Sequence, residues 1–75
     1  MAKAKLEMLA KDESSGGGGC PSVYLRDDGK CVVQAQAVDG DTFGNLVNVL
    51  PGEVACYIES DVILRAAEQL KNRTR

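Results

Sequence analysis

The fold of this chain is decided by residues 23–33, which read Val23-Tyr24-Leu25-Arg26-Asp27-Asp28-Gly29-Lys30-Cys31-Val32-Val33. Two β-prone runs flank an Asp-Asp-Gly turn signal, a pattern typical of a β-hairpin. A three-residue loop with Gly29 in the left-handed position of a G1 bulge pairs Leu25 with Cys31. A two-residue loop would mix apolar and polar side chains on both faces of the hairpin. We therefore predict the bulged register.

This register sorts the hairpin and the residues after it into two faces. The predicted inner face is apolar and consists of Val23, Leu25, Cys31, Val33, Ala35 and Ala37. The predicted outer face carries Ser22, Tyr24, Arg26, Lys30, Val32, Gln34 and Gln36. A Cβ atom at the positive φ expected of Gly29 costs about 1 kcal/mol or more, which favours glycine there.

After the hairpin, the sequence predicts a short helical turn, a β-turn and a third strand. Asp39 or Asp41 is placed to cap one turn of helix that runs to about Leu46. Pro51-Gly52 fits the two central positions of a β-turn. Residues 54–59 then alternate between the two faces, with Val54, Cys56 and Ile58 on the apolar one.

The C-terminal residues predict an amphipathic helix that begins at Ser60 as its N-cap, with Asp61 in its first turn. Its apolar stripe consists of Ile63, Ala66, Ala67 and Leu70, with Val62 beside it, whereas Arg65, Glu68 and Gln69 face away. The fold class that follows is α+β, a small antiparallel sheet of three to four strands with the C-terminal helix packed on one face.

The predicted domain organisation has three parts. Residues 1–19 form a flexible N-terminal tail and Gly-rich linker, because a helix over residues 1–13 would be marginal and Ser14 is followed by Ser and four Gly. Residues 20–72 form a single small domain, and residues 73–75 form a basic C-terminal end.

The composition argues against an enzyme. The chain of 75 residues has no His, which removes Ser-His and Cys-His catalytic pairs and histidine metal ligands. The adjacent carboxylates Asp27 and Asp28 are explained by turn formation, and those of Glu59 and Asp61 by helix capping. The Gly run lacks the residues of a phosphate-binding loop, and the cysteine spacing does not fit a zinc site. We predict no catalytic residue, no cofactor and no metal.

Charge and hydropathy limit the partners. Residues 20–70 contain three basic and eight acidic residues, which argues against a nucleic-acid partner. The basic residues Lys71, Arg73 and Arg75 suit the C-terminal end of a helix dipole. No apolar run is long enough to span a membrane and no signal peptide is evident, so we predict a cytoplasmic protein.

Three cysteines, an odd number, favour free thiols in a reducing compartment. Cys31 and Cys56 are expected on the inner face, where they would act as small hydrophobic residues. Cys20 lies beside the linker and is the candidate reactive thiol.

The candidate interface lies on the outer face and consists of Tyr24, Val32, Gln34, Gln36 and Tyr57. Two tyrosines, a valine and amides with little Lys or Glu have the composition of a protein interface. The alternative is an ordinary surface, since scattered exposed apolar residues are common.

Several short stretches resemble one group of proteins: Cys20-Pro21-Ser22-Val23-Tyr24, Asp28-Gly29, Val32-Val33-Gln34 and Leu50-Pro51-Gly52-Glu53. They are similar to short actinobacterial proteins encoded beside WhiJ-type helix-turn-helix regulators. The resemblance implies regulation through protein contact and supplies no catalytic residue.

The sequence thus predicts a small regulatory or adaptor protein that acts by protein contact, either as a homodimer or with a transcriptional regulator. The alternative is a thiol-based or metal-responsive sensor that uses Cys20, Cys31 and Cys56.

Overall fold

The Asp-Asp-Gly turn forms the predicted hairpin in a computed structural model that describes residues 5–13 and 21–73. Strand β2 (Ser22–Arg26) pairs with β3 (Cys31–Gln34) so that Leu25 lies opposite Cys31. Gly29 has φ +93°, and its N–H donates to the carbonyl oxygen of Arg26 at 2.9 Å. The bulged register and the left-handed Gly29 are both confirmed.

A strand precedes the hairpin where the sequence predicted only a tail. Residues of β1 (Leu6–Lys11) pair antiparallel with β2, which gives the sheet order β1-β2-β3. The register shifts between Met8 and Ala10, and this bulge lets the adjacent residues Leu9 and Ala10 both be buried. Pairing with β2 stabilises a segment that would be marginal as an isolated helix. The predicted linker over residues 14–19 lies outside the described residues.

The C-terminal helix α2 (Ser60–Arg73) packs on β1 and β2, so the α+β fold with a helix on one face is confirmed. Its first residue is Ser60, and the carbonyl oxygen of Glu59 accepts the first helical bonds, which places the cap one residue earlier than predicted. The buried apolar residues of the core are Leu9, Ala10, Val23, Val62 and Ala66.

The buried stripe of α2 is rotated from the predicted one. Val62 is fully buried, whereas Ile63 is 50% exposed and Ala67 is exposed. Ala66 is buried and Leu70 half-buried, as expected of the inner face. The centre of the stripe therefore follows Val62, Ala66 and Leu70 at a spacing of four residues.

Two arginines fix the orientation of α2. Arg65, which was predicted to face away, donates from Nη2 to the carbonyl oxygen of Lys11 at 2.8 Å. Arg73 donates from Nε to Glu7 Oε2 at 2.7 Å and adds a second bond from Nη2. The hydrogen bond from Arg73 lowers the pKa of Glu7. Because these contacts join the start of α2 to the end of β1 and the end of α2 to the start of β1, the helix runs antiparallel to β1.

Residues 38–59 form a segment that we call the arm. Helix α1 (Gly40–Gly44) begins it, and Asp39 caps this helix by accepting from the Thr42 N–H at 2.7 Å, as predicted. The predicted turn is present, with Gly52 at φ +90°. The predicted third strand is not, because residues 54–59 contribute only an isolated bridge from Cys56 to Ala37. No residue of the arm is buried.

The cysteines are more accessible than predicted. Cys31 is exposed and Cys56 is half-buried, so neither is a core residue. Ala37, expected on the inner face, is exposed as well. For Cys31 the physical reason is the position of α2, which contacts β1 and β2 but leaves β3 uncovered. Cys56 and Ala37 meet only in an isolated bridge outside the three-stranded sheet.

Candidate protein-binding surfaces

One face of the sheet, opposite α2, carries a row of large side chains across all three strands. Met8 lies opposite Tyr24, and Tyr24 lies opposite Val32. Directly opposed residues in antiparallel strands share a face, as do alternate residues along one strand. The same face also carries Lys11 and the buried Ser22, which lie opposite each other. We call the part of this face formed by Leu6, Met8, Tyr24, Arg26, Val32 and Gln34 the open sheet face.

Three of the five predicted interface residues belong to the open sheet face. The Tyr24 hydroxyl donates to Gln34 Oε1 at 3.1 Å, across the diagonal between β2 and β3. Tyr24 and Val32 are half-buried, whereas Gln34 is exposed. The hydrogen bond restrains the tyrosine ring beside Val32, so a partner would meet an ordered apolar surface with an amide at its rim.

The other two predicted interface residues lie at the base of the arm. The Tyr57 N–H donates to the carbonyl oxygen of Gln36 at 2.9 Å. The Tyr57 hydroxyl donates to Asp39 Oδ2 at 2.9 Å and lies 3.4 Å from Thr42 Oγ1. These bonds give Tyr57 a structural role, which is to join the base of the arm to the start of α1. Its membership of an interface, like that of Gln36, stays a prediction.

The pKa of Asp39 is lowered by this arrangement. The largest cause is the hydrogen bond from the backbone N–H of Thr42, followed by those from the Thr42 and Tyr57 side chains. The carboxylate is therefore held in its charged form as the cap of α1.

Sequence reasoning missed two members of the open sheet face. Leu6 is 51% exposed and Met8 is 46% exposed, and both come from β1. The signal was the alternation of Leu6 and Met8 with the charged residues Lys5 and Glu7, but the same stretch also fits a helical stripe through Leu9. Short apolar patterns of this kind do not distinguish the two structures.

A second apolar surface lies on the other side of the sheet, between α2 and β3. It is a groove of about 240 Å³ that we call the inner groove, lined by Leu9, Val23, Cys31, Val33, Ile63, Ala66, Ala67 and Leu70. Val33 on its floor is 47% exposed. The groove exists because α2 covers two strands of the three.

A third apolar surface lies on the arm. A shallow depression of about 460 Å³ is lined by Phe43, Leu46, Val47, Val49, Glu53 and Val54. Val47 and Val54 are the most exposed of its apolar residues, at 80% and 84%.

Apolar surface, rather than a cluster of reactive groups, dominates what the described residues offer. Among the residues that the structure describes, twelve large hydrophobic side chains are exposed, against five buried apolar residues in the core. Within residues 5–13 and 21–73, no three His, Cys, Asp or Glu side chains come together as a metal site would require. None of the helices in these ranges has the length and apolar character needed to cross a membrane. Cys20, the candidate reactive thiol, lies outside the described residues.

Comparison with known proteins adds no relative. No family model, curated protein or solved structure matches the chain. The resemblance to actinobacterial proteins encoded beside WhiJ-type regulators therefore stays a prediction.

Proposed function

We propose that this chain is a small regulatory or adaptor protein that acts by binding another protein through the open sheet face. The observation that carries the proposal is the row from Met8 through Tyr24 to Val32, which crosses the sheet on the face opposite α2. Large contiguous apolar patches on small proteins mark sites of association.

The composition of the open sheet face supports a protein as the partner. Tyrosine and methionine are enriched in protein interfaces. Arg26 lies at the margin of the face, where its Nε forms an ion pair with Asp28 Oδ2 at 3.4 Å. The arm carries four acidic and no basic residues, which disfavours direct contact with a phosphate backbone. As the partner we propose a DNA-binding transcriptional regulator in the cytoplasm, so that this chain would reach DNA only through the regulator.

The test is a calorimetric titration of the full chain against proteins encoded by neighbouring genes, beginning with any helix-turn-helix regulator. Met8→Glu places a charge in the middle of the row, and we expect it to weaken binding about tenfold or more. Val47→Glu is the matched control, because Val47 is more exposed and lies on the arm. Equal binding by both variants would contradict the proposed site, and a lack of binding to every neighbour would contradict the proposed partner.

The alternative function is a thiol-based or metal-responsive sensor. Its support is the exposure of Cys31, which leaves a thiol accessible at the inner groove. Thiol titration with and without zinc decides between the two proposals. Zinc that protects all three thiols would favour the sensor, whereas thiols that react alike with and without zinc would favour the protein-binding function.

A further inference from the structure

We propose that the free edge of β3 pairs with β3 of a second copy of this chain, which joins two sheets into one of six strands. The proposal concerns self-association and stands independently of the partner proposed above. It rests on the hydrogen-bonding pattern of β3, on the lack of charge along its edge and on the one register that a two-fold axis allows within the strand.

The backbone of β3 has hydrogen-bonding groups that point away from the sheet. The Arg26 N–H donates to the carbonyl oxygen of Lys30 at 2.8 Å, so the backbone groups of Lys30 face β2. Antiparallel strands alternate between residues that face the neighbour and residues that face away. The N–H and C=O groups of Cys31 and Val33 therefore point to the outside of the sheet.

The two edges of the sheet differ in how they are protected. The β1 edge contains a bulge and carries the charged residues Glu7 and Lys11, two devices that discourage pairing with another chain. The β3 edge reads Cys-Val-Val-Gln, with no charge, no proline and no bulge. It is the edge of the described sheet that is open to pairing.

Symmetry and strand length select one register for the second copy. In a symmetric antiparallel pair, residues whose backbone N–H and C=O groups point outward must lie opposite each other. In β3 these residues are Cys31 and Val33, so the two-fold axis passes through Cys31, Val32 or Val33. An axis at Cys31 sets Val33 against the turn residue Gly29, and an axis at Val33 uses Ala35, which lies beyond the strand. An axis at Val32 pairs Cys31 with Val33 of the second copy and keeps the residues that exchange hydrogen bonds within β3.

The charges fit this register. Lys30, the residue just before β3, would lie opposite Gln34 of the second copy, so no like charges meet at the ends of the ladder. The side chains of the two Val32 residues lie against each other on the open sheet face. The row of Met8, Tyr24 and Val32 then continues without a break across both copies.

The length of the edge sets the strength expected of the dimer. A ladder of about five residues from each copy buries less than the roughly 1,000 Å² of a stable interface, so we expect a weak, reversible dimer. A chemical cross-link is the suitable way to capture it. Opposed residues that do not exchange hydrogen bonds have Cα atoms about 4.5 Å apart, which lies within the range of a disulfide.

The experiment uses the full chain with Cys20→Ser, Cys31→Ala and Cys56→Ser as the background. Val32→Cys is added to one sample and Val54→Cys, at an exposed position of the arm, to the control. Both are oxidised mildly and analysed by non-reducing electrophoresis. We expect Val32→Cys to form a disulfide dimer at least about tenfold faster than Val54→Cys. Equal rates would overturn the proposal.

A second pair of variants tests the register at exposed positions, where folding is not at risk. Lys30→Cys and Gln34→Cys proteins are prepared separately in the same background, mixed in equal amounts and oxidised. We expect nearly all of the disulfide dimer to contain one chain of each kind, and we expect guanidinium to remove this preference. A mixed dimer at the statistical share of one half would overturn the register. Met8→Glu should leave both results unchanged, which separates self-pairing from the proposed partner binding.

Discussion

The buried stripe of α2 is rotated from the predicted one, and the clearest consequence is that Val62 contributes more to the free energy of unfolding than the larger Ile63 beside it. Val62→Ala removes two carbon groups from a fully buried site, whereas Ile63→Ala removes three from a site that is 50% exposed. At about 0.8 kcal/mol per buried carbon plus a cavity term, Val62→Ala should cost about 2–3 kcal/mol. On the same scale, Ile63→Ala should lower the free energy of unfolding by about 1 kcal/mol, because the side chain is half exposed.

The assay is urea unfolding, followed by circular dichroism. Both variants lie on α2 and change its helix propensity alike, so the difference between their unfolding free energies reports the difference in side-chain packing. A domain of this size has about 3–5 kcal/mol of stability, so Val62→Ala should lower the urea midpoint by roughly half. Leu64→Ala, at a site 70% exposed on the same helix, serves as the control and should change the unfolding free energy least. If Ile63→Ala were as costly as Val62→Ala, the helix would lie in the orientation predicted from the sequence and the inner groove would be closed.

Three further predictions address the turn, the helix anchor and the arm. Gly29→Ala should destabilise the chain by about 1 kcal/mol in urea unfolding, and Gly29→Asn by less, because asparagine tolerates a positive φ better. Because Arg73 lowers the pKa of Glu7, the stabilisation from this pair is present above the ordinary glutamate value near 4.5 and is lost as the pH falls through the lowered value. The urea midpoints of the natural chain and Glu7→Gln should therefore differ at pH 7, and the difference should shrink as the pH falls through the lowered value. Tyr57→Phe removes the hydroxyl that binds Asp39, and amide hydrogen exchange in the arm should become faster while exchange in the sheet stays the same.

The hairpin was predictable because three independent signals agree there. The Asp-Asp-Gly turn, the need for a positive φ at Gly29 and the alternation of Val23 and Leu25 with polar residues all require the same register. Asp39 as a helix cap and Gly52 as a turn residue were predictable for the same reason. Each depends on contacts within a few residues, which a sequence encodes locally.

Strand β1 was not predictable in this way, because its stability comes from pairing with β2. Residues 6–11 fit a thin helical stripe about as well as an alternating strand, and only the partner strand decides between them. The same dependence explains residues 54–59, which alternate as a strand should but pair only with residues 36–38, around the isolated bridge between Cys56 and Ala37. The open sheet face was therefore predicted from Tyr24 and Val32 while its third strand, with Met8, was missed.

The prediction that Cys31 is buried was wrong for a geometric reason, and the same reason bears on the proposed interaction surfaces. An α-helix is about 10 Å wide, and strands lie about 4.8 Å apart, so one helix covers two strands of a sheet and not three. Alternation in the sequence assigned Cys31 and Val33 correctly to the inner face, but it carries no information on which strand the helix leaves bare. The bulge at Leu9 and the bonds of Arg65 and Arg73 to β1 draw α2 to that side. The uncovered strand is then β3, and its free edge is the surface that a second copy would use.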